Sequence, residues 1–425
     1  MTFTQLGLRE EILRAVQDKG YKETTPIQAQ AIPAIQQNRD VLGGAQTGTG
    51  KTAAFALPLL DRLSQRESRD KHPRVLVITP TRELAEQVGE SFRNYGKYLS
   101  LKTATVYGGV KINPQIGVLR KGIDILVATP GRLLDHLSQK TLSLKNIETL
   151  VLDEADRMLD MGFINDIKKV MKHLPAQRQN LLFSATYSND IRKLSEGILK
   201  NPVSVEVATR NMAAEMVEQS VYKIEKRQKR YLLTHLIKDE SWYQVLVFVK
   251  TKHGANRLAK QLSSDGITTS AIHGDKSQNA RLRALDSFKK GDLQALVATD
   301  VAARGIHLEG LSHVVNFDLP QQPEDYVHRI GRTGRAGKSG AGISLVSSDE
   351  KGMLQRIEGL LKKSIRVNRS ASFVPEVLAP IQGSNSRPPR GPRQESGRNY
   401  YPSSGSSQNQ GQNRSRKPGR SQFSR

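Results

Sequence analysis

The chain has 425 residues, with 65 Lys and Arg against 41 Asp and Glu and a net charge of +24. That length exceeds one ordinary core, so two domains plus an extension are expected, and the charge favours a polyanionic partner, nucleic acid above all. With no cysteine, disulfides and thiolate metal sites are excluded.

No apolar run approaches the ~20 residues of a membrane span. Met1 to Glu11 shows no signal-peptide core. The absence of cysteine suits a reducing compartment, and a cytoplasmic location is expected.

Residues 1 to 39 read as polar helices, with Pro26 and Pro33 marking breaks. Asp40 to Gly44 reads as a short buried strand and Lys51 to Leu60 as the start of an apolar helix. Between them stands Ala45-Gln46-Thr47-Gly48-Thr49-Gly50-Lys51-Thr52. This fits the phosphate-loop pattern with Ala45 in the first Gly slot. Gly48 and Gly50 carry no side chain to block a phosphate, and backbone N–H groups and the helix N-terminus can wrap an anion. Lys51 is placed to reach the β and γ phosphates of ATP, and the Thr52 hydroxyl to hold Mg²⁺.

Further strands are expected at 74–80 (RVLVITP), 103–108, 124–130 (DILVATP), 149–155 (TLVLDEA) and 180–186 (NLLFSAT), with helical patterns or turns between them. Continuous apolar strands separated by helices predict an α/β fold with a parallel sheet covered on both faces. The acidic run Asp153-Glu154-Ala155-Asp156 closes one strand. Asp153 suits an Mg²⁺ site, with water between, and Glu154 can orient the attacking water and take its proton.

The pattern weakens near residues 206–217, read as a linker. A second alternating unit then shows strands at 244–250 (QVLVFVK), 268–272, 293–300 (LQALVATD), 313–318 and 342–347. Leu126-Val127-Ala128-Thr129 recurs as Leu296-Val297-Ala298-Thr299, which favours a duplicated domain, although only the first half carries a phosphate loop. Tyr326 to Gly337 (YVHRIGRTGRAG) sets three arginines among glycines, a pattern suited to close approach by an anion. Arg332 and Arg335 are the candidates to neutralise charge on the transferring phosphoryl group, which requires the two halves to close.

Residues 381–425 hold eight Arg and one Lys against one Glu, so +8 of the +24, with almost no aliphatics. A disordered basic tail is expected from 368 onward, able to stack on single-stranded nucleic acid through Tyr400, Tyr401 and Phe423.

Taken together, these motifs resemble the DEAD-box family of ATP-dependent RNA helicases in superfamily 2, over about residues 1 to 365. The resemblance implies two tandem RecA-like domains, 1–205 and 218–367, joined by the linker and followed by the tail. It implies adenine recognition by Gln28 and Tyr21, with Phe3 as the upstream aromatic, and it explains Ala45. It implies RNA contacts from Pro80, Thr81, Arg82, Gly109, Thr129 and Arg132 in the first domain and from Gln278, Arg281 and Thr299 in the second. Ser184, Thr186, Asp156, Asp300, Arg304 and His328 would couple hydrolysis to strand separation, and Gly305 would sit at the nucleotide. The family's usual Asp two residues after that Gly is His307 here, so its ribose contact is not carried over.

Residues of these types suit RNA backbone and 2′-OH, not base edges, so binding largely indifferent to sequence is expected. The core and tail style is similar to the bacterial RhlE-like subgroup, linked to ribosome assembly and RNA turnover, with structured or ribosomal RNA as target and a monomer as the working form. Three other readings use parts of the same pattern: an ATP-gated RNA clamp, a DNA helicase of the same superfamily, and a small-molecule phosphotransferase. The last has no use for the charge or for a second domain without a phosphate loop.

Overall fold

The computed structural model describes residues 1–45, 49–66, 71–186, 188–206, 217–303, 308, 311–333 and 340–368. The expected linker, apart from its end residues, and the expected tail after residue 368 lie outside the described residues. The described residues belong to one compact unit holding two sheets.

The first lobe opens with α1 (Glu10–Asp18) and α2 (Pro26–Gln36). It continues β1 (Val41–Gly44), α3 (Lys51–Ser64), β2 (Val75–Ile78), α4 (Arg82–Tyr95), β3 (Thr103–Val106), α5 (Ile112–Arg120), β4 (Ile125–Ala128) and α6 (Pro130–Ser138). It ends β5 (Thr149–Leu152), α7 (Ala155–Asp160), α8 (Ile164–Met171), β6 (Gln179–Ser184), α9 (Asn189–Glu196) and β7 (Val203–Glu206).

The second lobe runs β8 (Val217–Lys223), α10 (Lys229–Asp239), β9 (Val245–Phe248), α11 (Lys252–Ser264), β10 (Thr269–Ile272), α12 (Gln278–Lys290) and β11 (Ala295–Ala298). It closes with α13 (Asp300–Ala303), β12 (His313–Asn316), α14 (Pro323–Ile330), β13 (Gly340–Val346), α15 (Lys351–Leu361) and β14 (Arg366–Asn368).

Both sheets have seven strands. The first is ordered β3-β4-β2-β5-β6-β1-β7 and the second β10-β11-β9-β12-β13-β8-β14. Within each the paired strands run parallel. Adding seven to each strand number of the first order gives the second, so the lobes share one topology. The repeated tetrapeptide begins on the equivalent strands β4 and β11, and each copy ends with a Thr just past the strand.

The apolar runs are continuous because each strand is buried on both faces. Val75 and Val77 of β2 join the core under α2, α3 and α4, while Leu76 and Ile78 join the core under α6 and α8. In the second lobe Val245 and Val247 of β9 point one way and Leu246 and Phe248 the other.

Two expectations need correction. Pro26 does begin α2, but Pro33 lies inside that helix and does not end it. The surrounding Ile32, Ala34 and Ile35 are buried against the sheet, and this packing overrides the local cost of the proline. The strands β7, β8 and β14 were not foreseen. Each carries polar residues that break an apolar run, and β14 lies at the sheet edge with two of its three residues exposed.

One core contact has a pH signature. The sole tryptophan, Trp242, stacks on His313 with ring centroids 4.1 Å apart and a 14° interplanar angle. Burial draws the His313 imidazole down to about 4. The folded value lies below the ordinary one of 6.5, so this ring contributes stability that is present at neutral pH and is lost as pH falls through 6.5 towards 4. The expected loss is on the order of 1–2 kcal/mol, discounted for screening of a half-buried ring. Urea melts followed by Trp242 fluorescence should show it, and His313→Phe should flatten it. An equal pH slope in that variant would dismiss the assignment.

Candidate nucleotide and nucleic-acid site

The site residues of the first lobe follow the carboxyl ends of β1, β2, β4, β5 and β6, the edge where parallel sheets bind ligands. Behind β1, Ala45 is buried and donates its N–H to the Ser184 carbonyl. Gln46, Thr47 and Gly48 lie outside the described residues, and the chain resumes at Thr49. Gly50 has φ +90° and precedes the first turn of α3. A Cβ there would lie 2.3 Å from the Gln28 side-chain nitrogen, so only glycine fits. Gln28 itself is held at both ends. Its Oε1 accepts from the Thr25 N–H at 2.9 Å, and its Nε2 donates to the Gly50 carbonyl at 3.2 Å. The Lys51 ammonium, buried, donates to the Ala45 carbonyl.

A cavity of about 800 Å³ gathers Phe3, Tyr21, Gln28, Gly50, Lys51, Thr52, Asp153 and Glu154. Tyr21 is 43% exposed on its wall, whereas Phe3 is 4% exposed and belongs mainly to the core. Asp153 is buried, and its Oδ1 accepts the Glu154 N–H at 3.1 Å. Burial pushes the Asp153 carboxyl up to about 7, against the opposing pull of the Lys51 charge. Glu154 adopts φ 54°, a left-handed conformation unusual for a side chain of its size. Its Oε2 is buried without a hydrogen-bond partner, and the nearest cation, Arg157 Nε, stands 3.9 Å away. A buried carboxylate pushed up by burial, a second with an orphaned oxygen and a nearby hydroxyl make a donor set that fits a hard divalent cation.

Asp156 faces away from this cavity. Its Oδ2 accepts from the backbone N–H groups of Ala185 at 3.0 Å and Thr186 at 3.1 Å, and from the Thr186 hydroxyl at 3.3 Å. Ser184 Oγ donates to the Thr186 carbonyl at 2.9 Å. The ends of β5 and β6 are thus tied by one carboxylate.

The expected RNA-contact residues stand along the same edge. Thr81 caps α4 by accepting the Leu84 N–H at 3.3 Å, directly after Pro80. The Arg82 guanidinium lies where a Cβ on Gly109 would be, 1.9 Å from that position, and Gly109 has φ +81°. Thr129 precedes α6 and is buried. Arg132 donates to the Val110 carbonyl at 3.0 Å and to Asp135 at 3.3 Å. Gln278 and Arg281 reach across from the second lobe to Glu83, which is 2% exposed. Gln278 Nε2 donates to Glu83 Oε1 at 2.7 Å, and Arg281 Nη2 meets Oε2 at 3.0 Å. These two side chains are therefore committed to the seam between the lobes. Glu83 directly follows Thr81-Arg82, but its partners lie in the other lobe and leave no local signal of this role.

A second cavity, of about 710 Å³, opens along this seam and is lined by Asp156, Thr186, Thr299, Asp300, His328 and Arg329 among others. Asp300 accepts two bonds from Arg329, from Nε and Nη2, both at 2.6 Å. Arg329 Nη1 also donates to Asn316 Oδ1 at 2.9 Å and to the Asp318 carbonyl at 2.7 Å. Arg329, which is not one of the expected arginines Arg332 and Arg335 of the same run, is bound within its own lobe. Burial, then the Arg157 charge, hold His328 below the ordinary imidazole range. Arg332 is 3% exposed and lines a small cavity with Arg157, Asp300 and His328. Arg304, Gly305, His307 and Arg335 lie outside the described residues. No helix among the described residues is long and apolar enough to cross a membrane.

Residues 25–194 match the model of the DEAD/DEAH box helicase, and residues 227–337 match that of the helicase conserved C-terminal domain. A DEAD-box ATP-dependent RNA helicase CshA of Geobacillus kaustophilus is 45% identical over 364 residues, covering 86% of this chain and 77% of that protein. The protein of the same name from Bacillus subtilis is 44% identical over 365 residues, covering 86% of this chain and 73% of its own length. Among solved structures, S. cerevisiae Dbp5 bound to RNA and ADP BeF3 superposes with a TM-score of 0.78 at 33% identity, covering 87% of this chain and 95% of that one.

Proposed function

The chain belongs to the DEAD-box family of ATP-dependent RNA helicases, and on that premise we propose which of its residues perform each part of an RNA-dependent ATPase cycle. The observation that carries the reading is Asp156. It continues the Asp153-Glu154 pair of the nucleotide cavity, yet its carboxylate ends on Ala185 and Thr186 at the seam. A change at the nucleotide therefore has a short covalent and hydrogen-bonded route to the surface where the second lobe docks.

In this reading Gln28 and Tyr21 take the adenine, with Phe3 fixing the wall behind them. Lys51 and the N–H groups before α3 take the phosphates. Mg²⁺ would be held by Thr52 and Asp153, where it would neutralise charge developing on the terminal phosphate. Glu154, with an oxygen left unpartnered, accepts the proton of the attacking water. Arg332 and Arg335 stabilise the transferring phosphoryl group once the lobes close. RNA backbone lies across Thr81, Arg82, Gly109, Thr129 and Arg132 in the first lobe and Thr299 in the second. Gln278 and Arg281 shape that path from the seam, through Glu83. Thr186, Asp300 and His328 report closure from one lobe to the other.

Closure on a single strand would bend it away from A-form geometry, so the partner strand leaves. Structured RNA, ribosomal RNA included, is the target class this favours, acted on by a cytoplasmic monomer. The test is ATP turnover with no nucleic acid, with RNA and with DNA of matching sequence. Stimulation by RNA alone is expected. Equal stimulation by DNA would overturn the RNA assignment.

A further inference from the structure

We propose that the amino-terminal edge of the first sheet is a second binding surface for RNA backbone, on the opposite side of the lobe from the nucleotide cavity. It rests on the RNA reading above and adds a contact outside the seam.

Two adjoining concavities, of about 860 and 660 Å³, share Lys145 and Pro175 and so form one groove. The groove crosses the starts of β2, β5, β6 and β1, which are neighbours in that order. Four strand ends at about 4.8 Å spacing give a front roughly 15 Å wide. The residues already assigned to nucleotide and RNA follow the other ends of these strands, so the groove is no extension of that site.

Its charge is one-sided. Arg62, Arg74 and Arg178 form the floor. Lys140, Lys145, Lys172 and Lys200 stand exposed around them. The sole acidic residue lining the groove is Glu148, and it is committed to Arg74, accepting from Nε at 2.7 Å and Nη2 at 3.3 Å. Among the described residues no other cation of the groove stands within ion-pair distance of a carboxylate, although Asp40 attracts Arg178 and Glu148 attracts Arg62 at longer range. Arg62 is the sharpest case. Its Nη atoms donate to neutral oxygens of Asn38, Gln179 and Thr149, and its Nε is buried without a partner. Glu148 bonds Arg74 and acts on Arg62 only from a distance, so the part-buried Arg62 guanidinium has no carboxylate hydrogen bond, and an arriving anion would offset part of the cost of its burial.

The chemistry favours phosphodiester over acidic protein. Planar guanidinium forks match phosphate oxygens, and mobile lysines along a rim track a repeating charge. The groove lacks the Trp or Tyr anchor that centres a protein interface: its described lining contains no aromatic residue except His72 and His173. While the seam bends a single strand, this edge would grip duplex flanking it.

Charge reversal tests the proposal. The triple variant Lys145→Glu, Lys172→Glu, Lys200→Glu in the full chain changes exposed residues far from the catalytic edge. Affinity for a long structured RNA should fall roughly tenfold at about 0.1 M salt, and the slope of log K against log salt should lessen by about 2–3. ATP turnover saturated with a short single-stranded oligonucleotide, which fills only the seam, should stay at the parental rate. The corresponding Lys→Ala triple should show the same loss at smaller size, so poor folding of the reversal variant would not hide the result. Unchanged affinity and slope would overturn the proposal. So would unchanged RNA binding with loss of polyglutamate binding, which would mark an acidic-protein surface instead. If the parent is not stimulated by the short oligonucleotide at all, the failure belongs to the RNA-helicase assignment and not to the groove.

Discussion

Lys51→Ala should reduce ATP turnover at least about a hundredfold while leaving the protein folded. Two physical effects act together. The first is direct: the only ammonium in the cavity beside Asp153 and Glu154 that belongs to the phosphate loop is gone, and a fixed charge aimed at a developing oxyanion is worth a factor of 10²–10³ or more. The second is indirect. The Lys51 charge is what opposes the push of burial on Asp153. Without it the Asp153 carboxyl moves further above about 7, so at neutral pH it is held as the acid and is a poor metal ligand. Raising the pH should therefore recover part of the Mg²⁺-dependent nucleotide affinity without recovering turnover. Far-UV circular dichroism should match the parent, because the substitution shortens a side chain at the start of α3 and leaves the packed Ala53 to Leu57 turn intact. Parental turnover in this variant would refute the phosphate-loop assignment.

Asp300→Ala should destabilise the second lobe by about 2–4 kcal/mol, because losing this part-exposed carboxylate strands the buried Arg329 charge. Arg329 is 2% exposed, and Asp300 is the carboxylate that answers it. The remaining partners are a neutral amide and a carbonyl, with the Phe248 ring 4.9 Å below the guanidinium. For a lobe of this size the melting temperature should fall by roughly 10 °C or more. Trp242 lies in the same lobe and is the only tryptophan, so its fluorescence reads this unfolding directly. Arg329→Met in the Asp300→Leu background should restore much of the loss, since no charge is then stranded. An unchanged melt in Asp300→Ala would show that the pair contributes nothing to the lobe.

The legible part of the sequence was the part where one side chain has one job. A strand buried on both faces, such as β4 (Ile125–Ala128), announces itself by unbroken aliphatics. The phosphate-loop pattern shows because two glycines, a Lys and a Thr stand at fixed spacing between a strand and a helix. The repeated Leu-Val-Ala-Thr pointed to duplication, and the matching strand orders bear this out. Less visible were features that depend on partners distant in sequence. Nothing local distinguishes Glu83 from other helix-start acids, yet it takes Gln278 and Arg281 from 195 and about 198 residues away. Arg329 looks like its neighbours in the arginine run until β12 supplies Asn316. The strands β8 and β14 escaped because polar residues interrupt their apolar runs, although β8 is held between β13 and β14 and only β14 lies at the edge. Pro33 misled because a helix clamped onto a sheet tolerates a lost hydrogen bond.

Gln28 has a wider consequence. Its amide is pinned between Thr25 and Gly50, so the group proposed to meet the nucleobase and the glycine before α3 are parts of one bracket. If Gln28 takes the adenine as proposed, a triphosphate with another base would be met by the same side chain that steadies the entry to α3, and choice of fuel and grip on fuel would be coupled.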